Sequence, residues 1–119
     1  MAGTLTVATR NKLLNSLGLK TIKLHSADPT DSGTTGAIAG AVADLTGKVN
    51  AAANGAIQTS GSVEIDITVS GSPVTVSHYS LWDNSSTPVI IATGALSSSQ
   101  TYNTTGKYIV NTLTIDLNK

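Results

Sequence analysis

The sequence predicts a mainly β protein, a single β-sandwich or jelly-roll-like barrel over residues 1–119 with a short N-terminal α-helix. Apolar and polar residues alternate in several short runs, most regularly in Val63–Val69. Glycine, proline, asparagine, aspartate and serine separate these runs at intervals of about 8–12 residues, as turns do in such folds. The length of 119 residues suits one domain, and no linker or exact repeat divides the chain.

The N-terminal segment predicts a helix over residues of about 4–17. Thr4 or Thr6 is a candidate N-cap, and Gly18 is a typical helix stop. The apolar residues at helical spacing are Leu13, Leu14 and Leu17. We expect this leucine stripe to pack against a sheet or against a neighbouring subunit.

From Leu19 onward the period of the pattern changes to two. In the first predicted strand, Ile22, Leu24 and Ser26 share one face, whereas Thr21, Lys23 and His25 share the other. The later predicted segments are a weak strand near Val42–Val49, a turn at Asn54-Gly55, an alternating strand at 63–69, a strand at 74–82, a turn at 83–88, a buried apolar run at 89–93, an edge strand at 100–106 and a closing strand at 108–117. One face of the 74–82 strand is expected to carry Val74, Val76, His78, Ser80 and Trp82, and one face of the closing strand Ile109, Leu113, Ile115 and Leu117.

Composition excludes several classes of function. Seven basic and seven acidic residues give zero formal net charge, and no basic stripe indicates nucleic acid as a partner. The absence of cysteine excludes disulfides and thiolate metal sites. The N-terminus has no signal-peptide pattern and no segment approaches 18 apolar residues, so we expect synthesis in a cytosol and no membrane partner.

The stretch "KLHSADPTDSGTTGA" (23–37) places His25, Asp28 and Asp31 close together, and His78 is the other histidine. Two histidines and two carboxylates are a conceivable metal or acid/base set. Turn chemistry explains the same residues more simply, because aspartate bonds backbone N–H groups two residues on, proline presets φ and glycine adopts positive φ. We therefore predict a structured turn, with no metal site, no cofactor and no catalytic residue.

Other candidate sites also have simpler explanations. Glu64 and Asp66 lie on one strand face, about 6.5–7 Å apart, a distance comparable to that of glycosidase carboxylates. The chain has only four aromatic residues for a sugar-binding cleft, which favours a solvated face. No nucleophile-elbow motif supports a serine near His78. Trp82 is a candidate core anchor, subunit contact or ligand platform, and Tyr79 lies close to it in sequence.

Three stretches resemble a family of bacteriophage virion structural proteins. "LGLKTIKLHSADPTDSGTTGA" (17–37) is similar to its leucine-rich helix, strand and "LH-x-ADP" signature. "GAIQTSGSVEIDITV…VTVSHYSLWD" (55–83) is similar to its second half, and "ATGALSSSQTYNTTGKYIV" (92–110) to its closing strands. Thr30 departs from the family pattern, which often has glycine there. The resemblance implies head decoration or minor tail proteins, with no catalytic residue or cofactor.

The sequence thus predicts a non-enzymatic virion protein assembled in the bacterial cytoplasm. The first hypothesis is a capsid decoration (cement) protein that binds the outside of the head and stabilises it through many weak contacts. A minor tail or baseplate protein is the alternative, and a carbohydrate-binding module is a third. The expected partners are the major capsid protein or tail proteins and further copies in a homo-oligomer such as a trimer. The expected contact elements are the leucine face of the helix and the loop 27–41.

Overall fold

The computed structural model describes residues 3–118, which form one short helix and eight strands. In chain order these are α1 (Val7–Asn15), β1 (Leu19–His25), β2 (Ala37–Asp44), β3 (Ala56–Gln58), β4 (Val63–Ile67), β5 (Val74–Asp83), β6 (Ile90–Tyr102), β7 (Gly106–Val110) and β8 (Thr114–Asp116). The predicted mainly β fold with an N-terminal helix is therefore confirmed. Within the described residues, no helix is long and apolar enough to cross a membrane.

Two antiparallel sheets face each other in a β-sandwich. The larger sheet has the order β2-β1-β5-β6, and the smaller one pairs β4 with β7. Alternation in β4 buries Val63, Ile65 and Ile67 and exposes the residues between them, as predicted. These side chains pack against Ile22 and Leu24 of β1, so the core lies between the sheets.

One end of the molecule carries a small third sheet of β3 and β8, against which α1 packs. The turn at Asn54-Gly55 has positive φ at both residues, and Ala53 and Ala56 exchange backbone hydrogen bonds across it. This geometry is that of a two-residue hairpin turn, which confirms the prediction. The molecule measures 55 × 30 × 30 Å, and its radius of gyration of 15.3 Å exceeds the roughly 13.5 Å typical of a compact chain of this length.

The helix is shorter than predicted and its leucine stripe is only partly buried. Thr6 is the N-cap, since its hydroxyl accepts a hydrogen bond from the Thr9 backbone N–H, and Ser16 is the C-cap. Leu14 is buried, whereas Leu13 is 46% exposed. The helix has about two and a half turns. One side of it contacts the small sheet, and the other side is left uncovered.

The predicted strand at Val42–Val49 was misplaced. The observed β2 spans Ala37–Asp44, and the chain turns directly afterward, where the Lys48 backbone N–H donates to the Leu45 carbonyl. The alternation in this glycine- and alanine-rich segment is too weak to define where the strand begins and ends. Its position is set by pairing with β1.

The five residues predicted to share one face of β5 lie on two opposite faces of the sheet. Val74 and Val76 pack with the core, together with Tyr79 and Leu81. The pairing with β6 passes from Val76↔Gln100 to His78↔Ala95, an irregularity that interrupts alternation. As a result His78, Ser80 and Trp82 share the opposite, outer face of the large sheet.

The C-terminal third also differs from the prediction. Residues 90–93 and 100–102 of the two predicted runs belong to one long strand, β6, and residues 103–105 form the turn that leads into β7. Val89, just before β6, is 58% exposed rather than buried. The closing segment divides into β7 and β8. Pairing of Tyr108 with the core residue Ile65 turns Tyr108 inward, so Ile109 faces outward and is 51% exposed.

Candidate functional sites

The stretch that resembles a ligand cluster folds over the outer face of the large sheet. We call residues 26–36 the cover loop. His25, at the end of β1, points to this outer face and is nevertheless fully buried, as are Pro29 of the loop and Ser80 of β5. The loop therefore closes off a part of the sheet that would otherwise be in contact with water.

A directed hydrogen-bond chain runs beneath the cover loop. The Thr35 carbonyl can only accept, so His25 Nδ1 carries a proton and donates to it over 2.9 Å. Trp82 Nε1 donates to Ser80 Oγ over 2.8 Å, and Ser80 Oγ lies 2.7 Å from His25 Nε2. With Nδ1 as a donor to Thr35, His25 Nε2 accepts a hydrogen bond from the Ser80 hydroxyl, so every polar side-chain atom of His25, Ser80 and Trp82 has a partner in this network.

The loop also packs directly on Trp82. Gly33 has a φ of +69°, and a Cβ added there would lie 2.6 Å from Trp82 Cζ2. Lys23 Nζ stands 4.5 Å from the centre of the indole ring, in a cation–π contact. Trp82 therefore anchors the cover loop on the outer face of the large sheet and does not belong to the core between the two sheets.

The three candidate ligands of the 25–31 stretch do not converge. The Asp28 carboxylate accepts a hydrogen bond from the Thr30 backbone N–H over 2.9 Å, and the Gly33 N–H donates to the Pro29 carbonyl. Asp31 is exposed beside β6. The predicted turn geometry is confirmed. Among residues 3–118, no group of three or more His, Cys, Asp or Glu side chains is placed to hold a metal ion.

His25 and Ser80 have the spacing of a catalytic serine–histidine pair. A nucleophile must reach its substrate, and both side chains are completely shielded from solvent. The arrangement fits a structural role, since a buried, fully satisfied network fixes one conformation of the chain. This pair could not be found by inspection of the sequence, because its members are 55 positions apart.

The carboxylate pair of β4 lies on a solvated surface, as predicted. Lys107 of β7 bridges it, with Nζ 3.1 Å from Glu64 and 3.7 Å from Asp66. The hydrogen bond to Glu64, followed by the charges of both carboxylates, raises the pKa of Lys107. The three side chains are each more than half exposed, so this arrangement is a surface ion network.

The other candidate residues remain local. His78 Nδ1 lies 2.8 Å from the hydroxyl of its neighbour Ser77. Asp83 holds the 83–89 turn together, and the Ser85 hydroxyl and the Val89 backbone N–H lower the pKa of its carboxyl group by donating to it. The first contact joins two neighbouring residues of β5, and the others join residues of one turn.

A groove that the sequence did not indicate lies between β6 and β7. These strands leave the turn 103–105 and join different sheets, so they diverge, and residues 111–114 close the groove at its far end. Its volume is about 420 Å³. We call it the β6–β7 groove. Half of its lining residues are aliphatic, and the other half are aromatic or polar, namely Tyr79, Ser97, Tyr108, Asn111, Thr112 and Thr114.

The model of a protein family, described as podophage GP4 fiber I protein gp80, matches residues 5–118. The chain belongs to this family. The match includes α1 and all eight strands described above. It confirms the expected class, a structural protein of a phage and a component of the virion. Neither the curated proteins nor the solved structures that were compared contain a match.

Proposed function

We propose that the protein is a non-enzymatic subunit of a fibre on a phage virion and that it assembles with further copies of itself. The observation that carries this proposal is the fibre family, whose model matches almost the whole chain. A fibre subunit acts by occupying a fixed place and binding neighbours, which requires contact surfaces and no reaction chemistry.

Several surface features support an assembled subunit. Leu5, Val7 and Leu13 on and before α1 are 51%, 44% and 46% exposed, in a molecule with zero formal net charge. A surface without net charge does not repel further copies, and apolar side chains contribute free energy when a neighbour covers them. The elongated shape, 55 Å by 30 Å, also suits a fibre.

The exposed part of the cover loop is the second proposed contact element. Residues 30–32, 34 and 35 face solvent, while Pro29 and Gly33 hold the loop on the sheet. A loop fixed in this way loses little conformational entropy when it binds. With the exposed Leu13 of α1, this surface corresponds to the two contact elements predicted from the sequence, except that residues 37–41 of the predicted loop 27–41 form the start of β2.

Capsid decoration is the second candidate. It is favoured by the resemblance of the Leu24–Pro29 stretch to the signature of decoration and minor tail proteins. In that role the major capsid protein is the partner, whereas a fibre subunit binds tail proteins. The two candidates place the same molecule at different sites on the virion.

Immunogold electron microscopy of purified virions, with antibodies against the recombinant protein, tests the proposal. We expect gold particles at a fibre, and quantitative gels with few copies per virion. Label spread over the head, with hundreds of copies, would overturn the fibre assignment in favour of decoration.

For self-assembly, sedimentation of the wild type and of Leu13→Ser is compared, with the exposed Thr46→Ser as the matched control. We expect only Leu13→Ser to weaken association, and a monomeric wild type would contradict self-assembly.

A further inference from the structure

The β6–β7 groove combines two aromatic rings with a rim of neutral polar groups. Tyr79 lies on the inner face of β5, where the register places it opposite Gly94 of β6. A Cβ at position 94 would lie 2.5 Å from the Tyr79 hydroxyl oxygen, so only glycine leaves room for this ring. Tyr108 enters from β7 on the other side. Half of the four aromatic residues of the chain therefore line one groove.

The polar side chains of the groove are not used in hydrogen bonds between described residues. In the part of the chain from 3 to 118, the side chains of Tyr79, Tyr108, Ser97, Asn111 and Thr112 make no hydrogen bond within the molecule, and the groove is open to solvent. Burial raises the pKa of Tyr79, so its hydroxyl is protonated at neutral pH and is able to donate. Each of these groups is thus available to a ligand.

The groove carries no charge. Its described lining contains no Lys, Arg, Asp, Glu or His, although the chain has fourteen charged residues. An anionic ligand would lose hydration there without gaining a cation, and a cationic ligand would gain no carboxylate. A neutral ligand with many hydroxyl groups avoids both penalties.

We propose that the β6–β7 groove binds a neutral carbohydrate. The rings of Tyr79 and Tyr108 would contact the apolar C–H faces of a sugar, while Asn111, Thr112 and Ser97 would exchange hydrogen bonds with its hydroxyls. The volume of about 420 Å³ lies within the range of small-molecule sites, roughly 300–1,000 Å³. The sugar site goes beyond the proposed fibre function and does not depend on it.

An added β-strand is the competing occupant, because the outer edges of β6 and β7 flank the groove. Strand addition requires pockets that receive alternate apolar side chains. Aliphatic side chains line part of the groove, but its rim at positions 97, 111, 112 and 114 is made of hydroxyl and amide groups. These groups match sugar hydroxyls better than they match an apolar side chain.

The test uses the full-length recombinant protein on an array of neutral and acidic oligosaccharides, followed by calorimetry with the strongest neutral oligosaccharide. We expect binding to neutral members and none to sialylated or uronate-containing ones. The double variant Asn111→Ala/Thr112→Ala should weaken binding by at least about tenfold, the equivalent of about 1.4 kcal/mol. Tyr79→Phe, which keeps the ring and removes only the hydroxyl, should weaken it by several-fold.

The matched control is Asn103→Ala/Thr104→Ala, an exposed Asn-Thr pair in the β6–β7 turn outside the groove lining. Its affinity should equal that of the wild type within twofold. Circular dichroism spectra of all variants verify folding. Absence of binding to neutral sugars, equal binding to acidic sugars, or equal losses in the two double variants would overturn the proposal. So would protection of the groove by a second copy of the chain, which would assign it to strand addition.

Discussion

Replacing Ser80 by alanine tests whether the buried hydrogen-bond chain holds the cover loop in place. The substitution removes the acceptor of Trp82 Nε1 and the donor to His25 Nε2. His25 is completely buried, so water cannot replace the lost partner. An unpaired buried polar atom costs about 1–3 kcal/mol, and Trp82, which is only half-buried, loses roughly 0.5–1 kcal/mol more. We therefore expect Ser80→Ala to lower the free energy of unfolding by about 2–3 kcal/mol.

Urea unfolding followed by circular dichroism measures this loss. At this chain length a loss of 2–3 kcal/mol corresponds to a drop of roughly 8–12 °C in Tm. Ser77→Ala is the matched control, because Ser77 lies on the same strand and bonds only the ring of its neighbour His78. We expect it to cost less than about 0.5 kcal/mol. Fluorescence of Trp82, the only tryptophan, reports on the packing of the cover loop.

A double-mutant cycle with Trp82→Phe separates the network from simple packing. If the indole N–H and the Ser80 hydroxyl act together, the double variant should lose about 0.5–1 kcal/mol less than the sum of the single variants. The reasoning is refuted if Ser80→Ala destabilises the protein no more than Ser77→Ala does. It is also refuted if the fluorescence of Ser80→Ala shows an undisturbed Trp82 at a strongly reduced stability.

Three further predictions concern single residues. Gly33→Ala should destabilise the protein by about 2 kcal/mol or more in urea unfolding, since it places a Cβ at positive φ and against Trp82. Because the pKa of Asp83 is lowered, its contribution to the free energy of unfolding is complete above the ordinary value of 3.8 and is lost as the pH falls through the lowered pKa. The NMR amide shifts of the 83–89 turn should change in that pH window, and Asp83→Asn should abolish the change. Lys107→Ala should leave the unfolding midpoint unchanged within error at 0.15 M salt, because the ion network is exposed; a clear loss would show that this surface is covered in an oligomer.

The parts of the fold that the sequence predicted are those where one local rule is sufficient. β4 alternates without interruption, and the Asn54-Gly55 turn has the residues that a two-residue hairpin requires. β5 could not be predicted in full, because its inward face changes where its pairing with β6 is irregular. Such an irregularity depends on the partner strand and leaves no mark in the period of β5 itself.

The candidate sites show the same limit at longer range. The aspartate turn at 28–33 was predictable, since Asx and glycine chemistry acts over two or three residues. The contact of His25 with Ser80 and the position of Tyr79 opposite Gly94 both require the sheet register. The scarcity of aromatics argued against a sugar site, but the fold brings Tyr79 and Tyr108 into one groove. A low total of aromatic residues therefore does not exclude a local concentration of them.

A reactive site and the packing of a loop on a sheet can use the same residue types, and burial distinguishes the two. His25 and Ser80 have the identities and spacing of a reactive pair, and yet all their hydrogen-bonding capacity is used within the molecule. The polar groups of the β6–β7 groove have unremarkable identities, and their capacity is unused and open to solvent. A ligand can form hydrogen bonds only with groups whose hydrogen-bonding capacity is not already used within the protein. We therefore propose the groove, rather than the histidine-containing stretch, as the place where this molecule binds a small partner.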